Sequence, residues 1–332
     1  LFLFTYNCNK QRFDGEKLLP YLETEFPKHP AALFVFGIQE MCSILDGSFP
    51  DISHRHLIDI NESLLQSLQD NYGQSFQTVG LVSNGAIGLV AITPYPRQIT
   101  EVSLALAGIG RFNSSMKGAV GLRLRYKGLK NNEVSEFTFA NAHLNAFEGE
   151  YYYLQRNNAV HNVLRSVHFE DGFGILKPGC HTFFMGDLNY RTTKKYEFSL
   201  LKELFLLMDH TIPVNGSSSD PTLDEQAAST AHVEKIQRLV GKFDELTAAR
   251  KKNEVFSGFT EAPITFAPTY KYHVGTAIFN DKRSPSWCDR ILYQSTYRNE
   301  EFAYLDLKRR KEHRKNHPQV HKYYSLAAKL SD

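Results

Sequence analysis

The sequence predicts an α/β protein. Apolar runs of strand length and amphipathic stretches of helical spacing are interspersed from end to end. Most strand-like runs stop at short polar motifs, as they do where a sheet presents side chains to a cleft. No period of roughly 20 to 50 residues recurs as a solenoid requires.

Residues 1–5 read as a buried strand, with Asn7 and Asn9 at its exit. A helix over 17–26 leads to an apolar run over 31–37 of buried-strand type, which delivers Gln39 and Glu40. A carboxylate at the end of a central strand is unfavourable unless something positive compensates for its burial, and a metal or a salt bridge would both serve. Ile58, Leu64, Leu65 and Leu68 recur at helical spacing and predict a helix covering one sheet face. Residues 76–82 and 86–92 form a strand pair joined by Ser83-Asn84-Gly85. A strand over 136–142 ends at His143, followed by a long helix over 148–167 with Gln155 and Arg156 on its polar side. Residues 171–179 form a Gly-rich loop, and 181–185 form the next strand. A helix is expected over 198–208, a polar inserted loop over 212–231 and a charged helix over 233–254.

At 332 residues with a formal net charge of +2, the chain suits one large domain, and its overall charge gives no attraction to nucleic acid or membrane. The strongly basic run 308–315 lacks interleaved aromatics, so it is a weak nucleic-acid signal; a surface loop leaning toward anionic lipid is the other reading. Lys251-Lys252 reads as a solvated helix end. Cys8, Cys42, Cys180 and Cys288 fit no zinc or C-x-x-C spacing and read as free buried thiols of a reducing compartment. No run approaches the roughly 20 apolar residues of a membrane span.

Chemistry concentrates in Gly186-Asp187-Leu188-Asn189-Tyr190-Arg191, which follows an apolar strand. In a strand, residues two apart share a side, so Asp187 and Asn189 would project together; an Asx turn closing the strand is the other reading. A second stretch, Arg283-Ser284-Pro285-Ser286-Trp287-Cys288-Asp289-Arg290-Ile291-Leu292, holds the only Trp of the chain. His143 alone could be a structural histidine, and Asp289 beside Arg290 could be an internal ion pair.

With Gln39-Glu40, Asn141-Ala142-His143-Leu144 and Pro268-Thr269-Tyr270-Lys271-Tyr272, these stretches resemble the inositol polyphosphate 5-phosphatases, a branch of the magnesium-dependent phosphoesterases that include DNase I-like nucleases and sphingomyelinases. The resemblance runs over nearly the whole chain. It implies a four-layer sandwich of two packed, mostly antiparallel sheets flanked by helices, forming a single catalytic domain over 1–332. It implies Mg²⁺ on Glu40 with Asn7 close by and Asn9 a weaker candidate, Asp187 orienting or deprotonating water, Asn189 and His143 on the phosphoryl group, and Asp289 orienting a histidine. That histidine is expected directly after Asp332, itself assigned to the site, and with no initiator Met and a strand-like run from Leu1 the chain is expected to be cut at both ends. Lys117, Tyr270, Lys271, Lys282, Arg283 and Arg290 are placed around the substrate. Met116 and Ala119 depart from the family's Asn-Lys-Gly-Gly pattern, and Asp281 stands where relatives often have a basic residue.

The expected activity is removal of the 5-phosphate of phosphatidylinositol 4,5-bisphosphate by direct attack of water, since no C-x-x-x-x-x-R thiolate signature is present. The competing readings are a phosphodiesterase of the same superfamily and a non-catalytic phosphoinositide-binding module. A monomer working on a phosphoinositide at the cytosolic face of a membrane, the endoplasmic reticulum being one candidate, with no nucleic-acid partner, completes the expectation.

Overall fold

A computed structural model of the chain describes residues 1–108, 116–129, 133–192, 223–273, 276, 279–280, 282–297 and 318–326. The first sheet has the order β1-β2-β4-β3, with β1 Phe2–Asn7, β2 Phe34–Gln39, β3 Gln77–Asn84 and β4 Ile87–Thr93. The second runs β5-β6-β7-β8-β9, with β5 Ile99–Gly108, β6 Gly118–Lys127, β7 Val134–His143, β8 His181–Asp187 and β9 Asp289–Ser295. Each sheet holds one parallel pair, β1 with β2 and β7 with β8, and is otherwise antiparallel.

Alternation along the strands divides the core. Val35, Leu89, Leu122, Phe139 and Met185 fill the space between the sheets. On the outer face of the first sheet, Phe34 and Phe36 pack against Leu22 of α1 (Gly15–Glu23) and Leu57 and Leu64 of α3 (Pro50–Tyr72). A four-residue helix, α2 (Ile44–Gly47), precedes α3. On the outer face of the second sheet, Ala140 and Phe184 pack against Val160 and Val163 of α4 (Glu150–Ser166). Two further helices, α5 (Leu223–Phe243) and α6 (Glu245–Lys251), follow, and Leu246 of α6 joins this outer cluster. Helix, sheet, sheet and helix stack in the expected four layers.

The structure corrects several expectations. β1 is half-buried rather than buried, because it is an outer strand of its sheet. The buried stripe of α3 is Leu57, Ile60, Leu64 and Leu68, while Ile58 faces out. The hairpin turn falls at Gly85-Ala86, since Asn84 still pairs with Ile87. Residues 223–231, expected as loop, are the first turns of α5, and Asp244 ends that helix and caps α6 by accepting from Thr247 N at 2.8 Å. Arg156 is on the buried face of α4, where Nη2 donates to Glu245 at 2.6 Å and Nη1 to the carbonyls of Asn145 and Phe147. The expected helix 198–208, the basic run 308–315 and Asp332 lie outside the described residues.

Two glycines let the sheets and strands close on the site. A Cβ on Gly37 would meet Asn141 Oδ1 at 2.8 Å, and Asn141 ties the sheets together by donating to Ile38 O at 3.0 Å and Gly88 O at 2.7 Å. Gly186 has φ +134, and a Cβ there would lie 2.0 Å from Ala142 O. Only glycine lets β8 lie against β7 immediately before Asp187.

Candidate active site

Parallel pairing brings strand ends together. β1 ends at Asn7, β2 delivers Glu40, β7 ends at His143 and β8 ends at Asp187, two strand ends from each sheet. Antiparallel β9 starts at Asp289, the register partner of Asp187. Residues far apart in sequence therefore line one cleft of about 1630 Å³ that includes Asn7, Glu40, Lys117, His143, Asp187, Asn189 and Asp289, with Tyr270 and Lys271 on its wall.

Asn7 Nδ2 donates to Asp187 Oδ2 at 2.9 Å, and Asn7 Oδ1 accepts from Asn9 N at 2.8 Å. Asn189 N donates to Asp187 Oδ1 at 3.0 Å, and Asn189 Nδ2 donates to Leu144 O at 3.1 Å. Asp187 and Asn189 thus meet through an Asx turn with Asn189 at φ 54, not through strand alternation. The turn reading and the site reading hold together. Glu40 also has a left-handed backbone, φ 48, a strained conformation of the kind that clusters at functional sites. His143 Nε2 lies 3.5 Å from Asp187 Oδ2 and 3.6 Å from Glu40 Oε1, and contacts the Lys117 ammonium.

This packing sets the charges. Burial, then Lys117, lowers the pKa of His143 to about 3, so its ring is neutral at physiological pH. Burial also brings Lys117 down to about 8, although Asp187 and Glu40 favour its charge. Burial opposes ionisation of Asp187, but Lys117, Arg191 and the Asn7 hydrogen bond act against it and the carboxyl lies below its usual range. Asp289 goes the other way, pushed up to about 7 by burial and by the charge of Asp187. Its Oδ1 is buried with no hydrogen-bond partner.

The raised value of Asp289 has a signed consequence. The native state holds the Asp289 proton more tightly than the unfolded chain does, so wild type loses stability as pH rises from about 4 to about 7. Asp289→Asn removes that loss. Its unfolding midpoint relative to wild type is expected to rise across this window in chelator-treated protein and to level off above it. A difference that stays flat from about pH 4 to about pH 8 would contradict the assignment.

Of the expected substrate residues, Lys117, Tyr270 and Lys271 line the cleft, while Lys282 and Arg283 sit on an exposed turn and do not. Arg290 is corrected outright. It is fully buried and pairs with Asp244 at 2.9 Å and Glu261 at 2.7 Å, an internal ion pair with partners other than its neighbour Asp289. Sequence reading also missed Arg191, which lines the cleft beside Asp187. A single Arg closing a motif carries no periodicity or charge signal.

Among the described residues no group of three His, Cys, Asp or Glu side chains stands in a metal-holding arrangement. The donors present nonetheless fit a hard cation that keeps several waters: the Glu40 carboxylate and the Asn7 carbonyl oxygen, which retains a lone pair after Asn9.

The family model described as Endonuclease/Exonuclease/phosphatase family 2 matches residues 4–210 and 214–332. The chain is 25% identical to Synaptojanin-2 of Rattus norvegicus over 288 residues, 84% of this chain and 16% of that protein. It is 30% identical to phosphatidylinositol 3,4,5-trisphosphate 5-phosphatase 1 of Rattus norvegicus over 251 residues, 70% of this chain and 18% of that protein. It therefore spans under a fifth of either relative. The solved inositol polyphosphate 5-phosphatase domain of SPsynaptojanin, in complex with inositol (1,4)-bisphosphate and a calcium ion, superposes with TM-score 0.64 at 23% identity, over 88% of this chain and 74% of that one. A Cimex nitrophorin in its ferrous NO complex superposes with TM-score 0.54 at 17% identity over 89% of this chain and 85% of that one. Across nearly its whole length, from the first strand through both site motifs, the chain belongs to the endonuclease/exonuclease/phosphatase family 2.

Proposed function

We propose that this chain is a Mg²⁺-dependent phosphomonoesterase that removes the 5-phosphate of phosphatidylinositol 4,5-bisphosphate at the cytosolic face of a membrane. The observation that carries this reading is geometric: strand ends of both sheets set Asp187 opposite Asp289 in one cleft with Asn7, Glu40, Lys117, His143 and Asn189, and the two carboxyls are driven in opposite directions, Asp187 below and Asp289 above the usual range. Titratable neighbours driven apart in this way mark acid and base assignments. The two rat relatives, a 5-phosphatase by name and a synaptojanin, support the same chemistry.

Bound on Glu40 with Asn7, Mg²⁺ would supply charge neutralisation at the phosphoryl oxygens. Asp187, oriented by Asn7 and Asn189, accepts a proton from the attacking water. Lys117 and Asn189 offer N–H donors to the equatorial oxygens where transition-state charge collects. Asp289 holds a proton beside Asp187, across the strand pair. Buried strand ends fix these groups before substrate arrives, which suits a reaction that depends on positioning and electrostatics.

Tyr270 and Lys271 support a monoester with a second phosphate, because a hydroxyl and an ammonium on the cleft wall suit the neighbouring 4-phosphate. Lys271→Ala is expected to raise KM for phosphatidylinositol 4,5-bisphosphate by roughly tenfold to a hundredfold with little change in kcat, the scale of one hydrogen bond to a charged group. Turnover of phosphatidylinositol 5-phosphate should change far less. An unchanged KM together with efficient cleavage of abasic DNA or sphingomyelin would replace this reading by the diesterase one.

A further inference from the structure

The chemistry just described gives no task to Arg191, although it lines the cleft and is only 3% exposed. Its backbone is clamped. Arg191 N donates to Glu245 Oε2 at 2.9 Å, and Glu245 N donates back to Arg191 O at 2.9 Å. The same Glu245 oxygen takes Arg156, which also holds the carbonyls of Asn145 and Phe147 in the loop after His143. Position 191 is therefore anchored to the loop that follows the catalytic histidine.

The side chain reaches two other parts of the site. Its guanidinium carbon lies 4.1 Å from the centre of the Tyr270 ring, and Nη2 donates to Asn189 Oδ1. Nε is buried with no hydrogen-bond partner, and no carboxylate among the described residues lies within ion-pair distance. Its carboxylate neighbour is Asp187, whose charge it favours without a direct ion pair. Its geometry nonetheless does something definite to Asn189. A guanidinium only donates, so the amide oxygen must face Arg191; the Leu144 carbonyl only accepts, so the amide nitrogen must face Leu144. With both ends of the amide fixed, one Asn189 N–H remains for the cleft.

We propose that Arg191 is a positioning residue: it fixes the amide orientation of Asn189 and ties it to Tyr270, so that the group facing the reacting phosphoryl and the group on the substrate-reading wall are held as one unit. This rests on the phosphoesterase reading of the same cleft.

The test uses Arg191→Met, Arg191→Lys, Asn189→Ala and the Arg191→Met/Asn189→Ala double variant, each checked for an unfolding midpoint. Arg191→Met should lower kcat roughly tenfold to a hundredfold, the scale of a misplaced reacting group, with KM for phosphatidylinositol 4,5-bisphosphate within about threefold. Arg191→Lys, charged but without the planar fork, should remain within about threefold of Arg191→Met. In the Asn189→Ala background, Arg191→Met should cost less than about twofold further, because its effect passes through Asn189. A full additional loss there, recovery of wild-type kcat by Lys, or a loss confined to KM would overturn the proposal. A second readout needs no turnover: in protein labelled with ¹⁵N-asparagine, the Asn189 side-chain amide protons should exchange slowly in wild type and quickly in both Arg191 variants. Unchanged exchange would also overturn it. If wild type is silent on phosphoinositide while the exchange difference persists, the functional reading fails and the positioning role stands.

Discussion

Asp187→Asn is expected to lower kcat by roughly a thousandfold while the protein stays folded, the upper range of what one proton-transfer group contributes. The substitution preserves shape and keeps one acceptor oxygen, so it retains the bond from Asn189 N, loses the one from Asn7 Nδ2 because an amide nitrogen cannot accept, and removes the negative charge that accepts the water proton. Loss of that charge relieves its repulsion of Asp289 across the strand pair but also removes its attraction to Lys117 and Arg191, so the opposing effects should leave the unfolding midpoint little changed. Steady-state kinetics with a calorimetric scan checks both. A variant retaining more than about a tenth of wild-type kcat would remove Asp187 from the role of base.

Arg290→Met should instead act on stability. It strands the carboxylates of Asp244 and Glu261, which are almost fully buried, and breaking one partner of a buried pair costs about 3–5 kcal/mol. Glu261 retains Arg250 at 3.1 Å and the Tyr323 hydroxyl at 3.1 Å, which softens the loss on its side. Asp244 also caps α6, so fraying of that helix should accompany it. Urea unfolding measures the difference. Below the variant's transition, kcat per folded molecule should fall within a fewfold of wild type, and a normal midpoint with a raised KM would restore Arg290 to the substrate.

What the sequence made legible follows from how strongly each signal is tied to one structure. Apolar runs such as 34–39 and 181–187 lie in strands buried on both faces, and their polar exits Glu40 and Asp187 could be placed because a sheet leaves a run of that kind only at its edge. β5 was not expected, since one of its faces is largely exposed and its apolar residues do not follow that burial: Leu104 and Leu106 are exposed while Ala105 and Ala107 are buried. The start of α5 was read together with the Ser-, Asp- and Pro-rich stretch before it, although Glu225, Gln226, Ala227 and Ala228 are good helix formers. Charge misled most. Arg156 and Arg290 are both fully buried, and their partners Glu245, Asp244 and Glu261 lie 89, 46 and 29 residues away, beyond any local pattern. Arg191 escaped notice for the same reason, because the contact that gives it meaning is a ring 79 positions later.

The measurement that tests the central claim most directly is phosphate release from short-chain phosphatidylinositol 4,5-bisphosphate, with the product's phosphate position assigned by ³¹P NMR, in Mg²⁺ and in chelator, beside Asp187→Asn. The account predicts phosphatidylinositol 4-phosphate as product, formed only with the metal and all but lost in the variant. Release from the 4-position, release that survives chelation, or full activity of Asp187→Asn would contradict it.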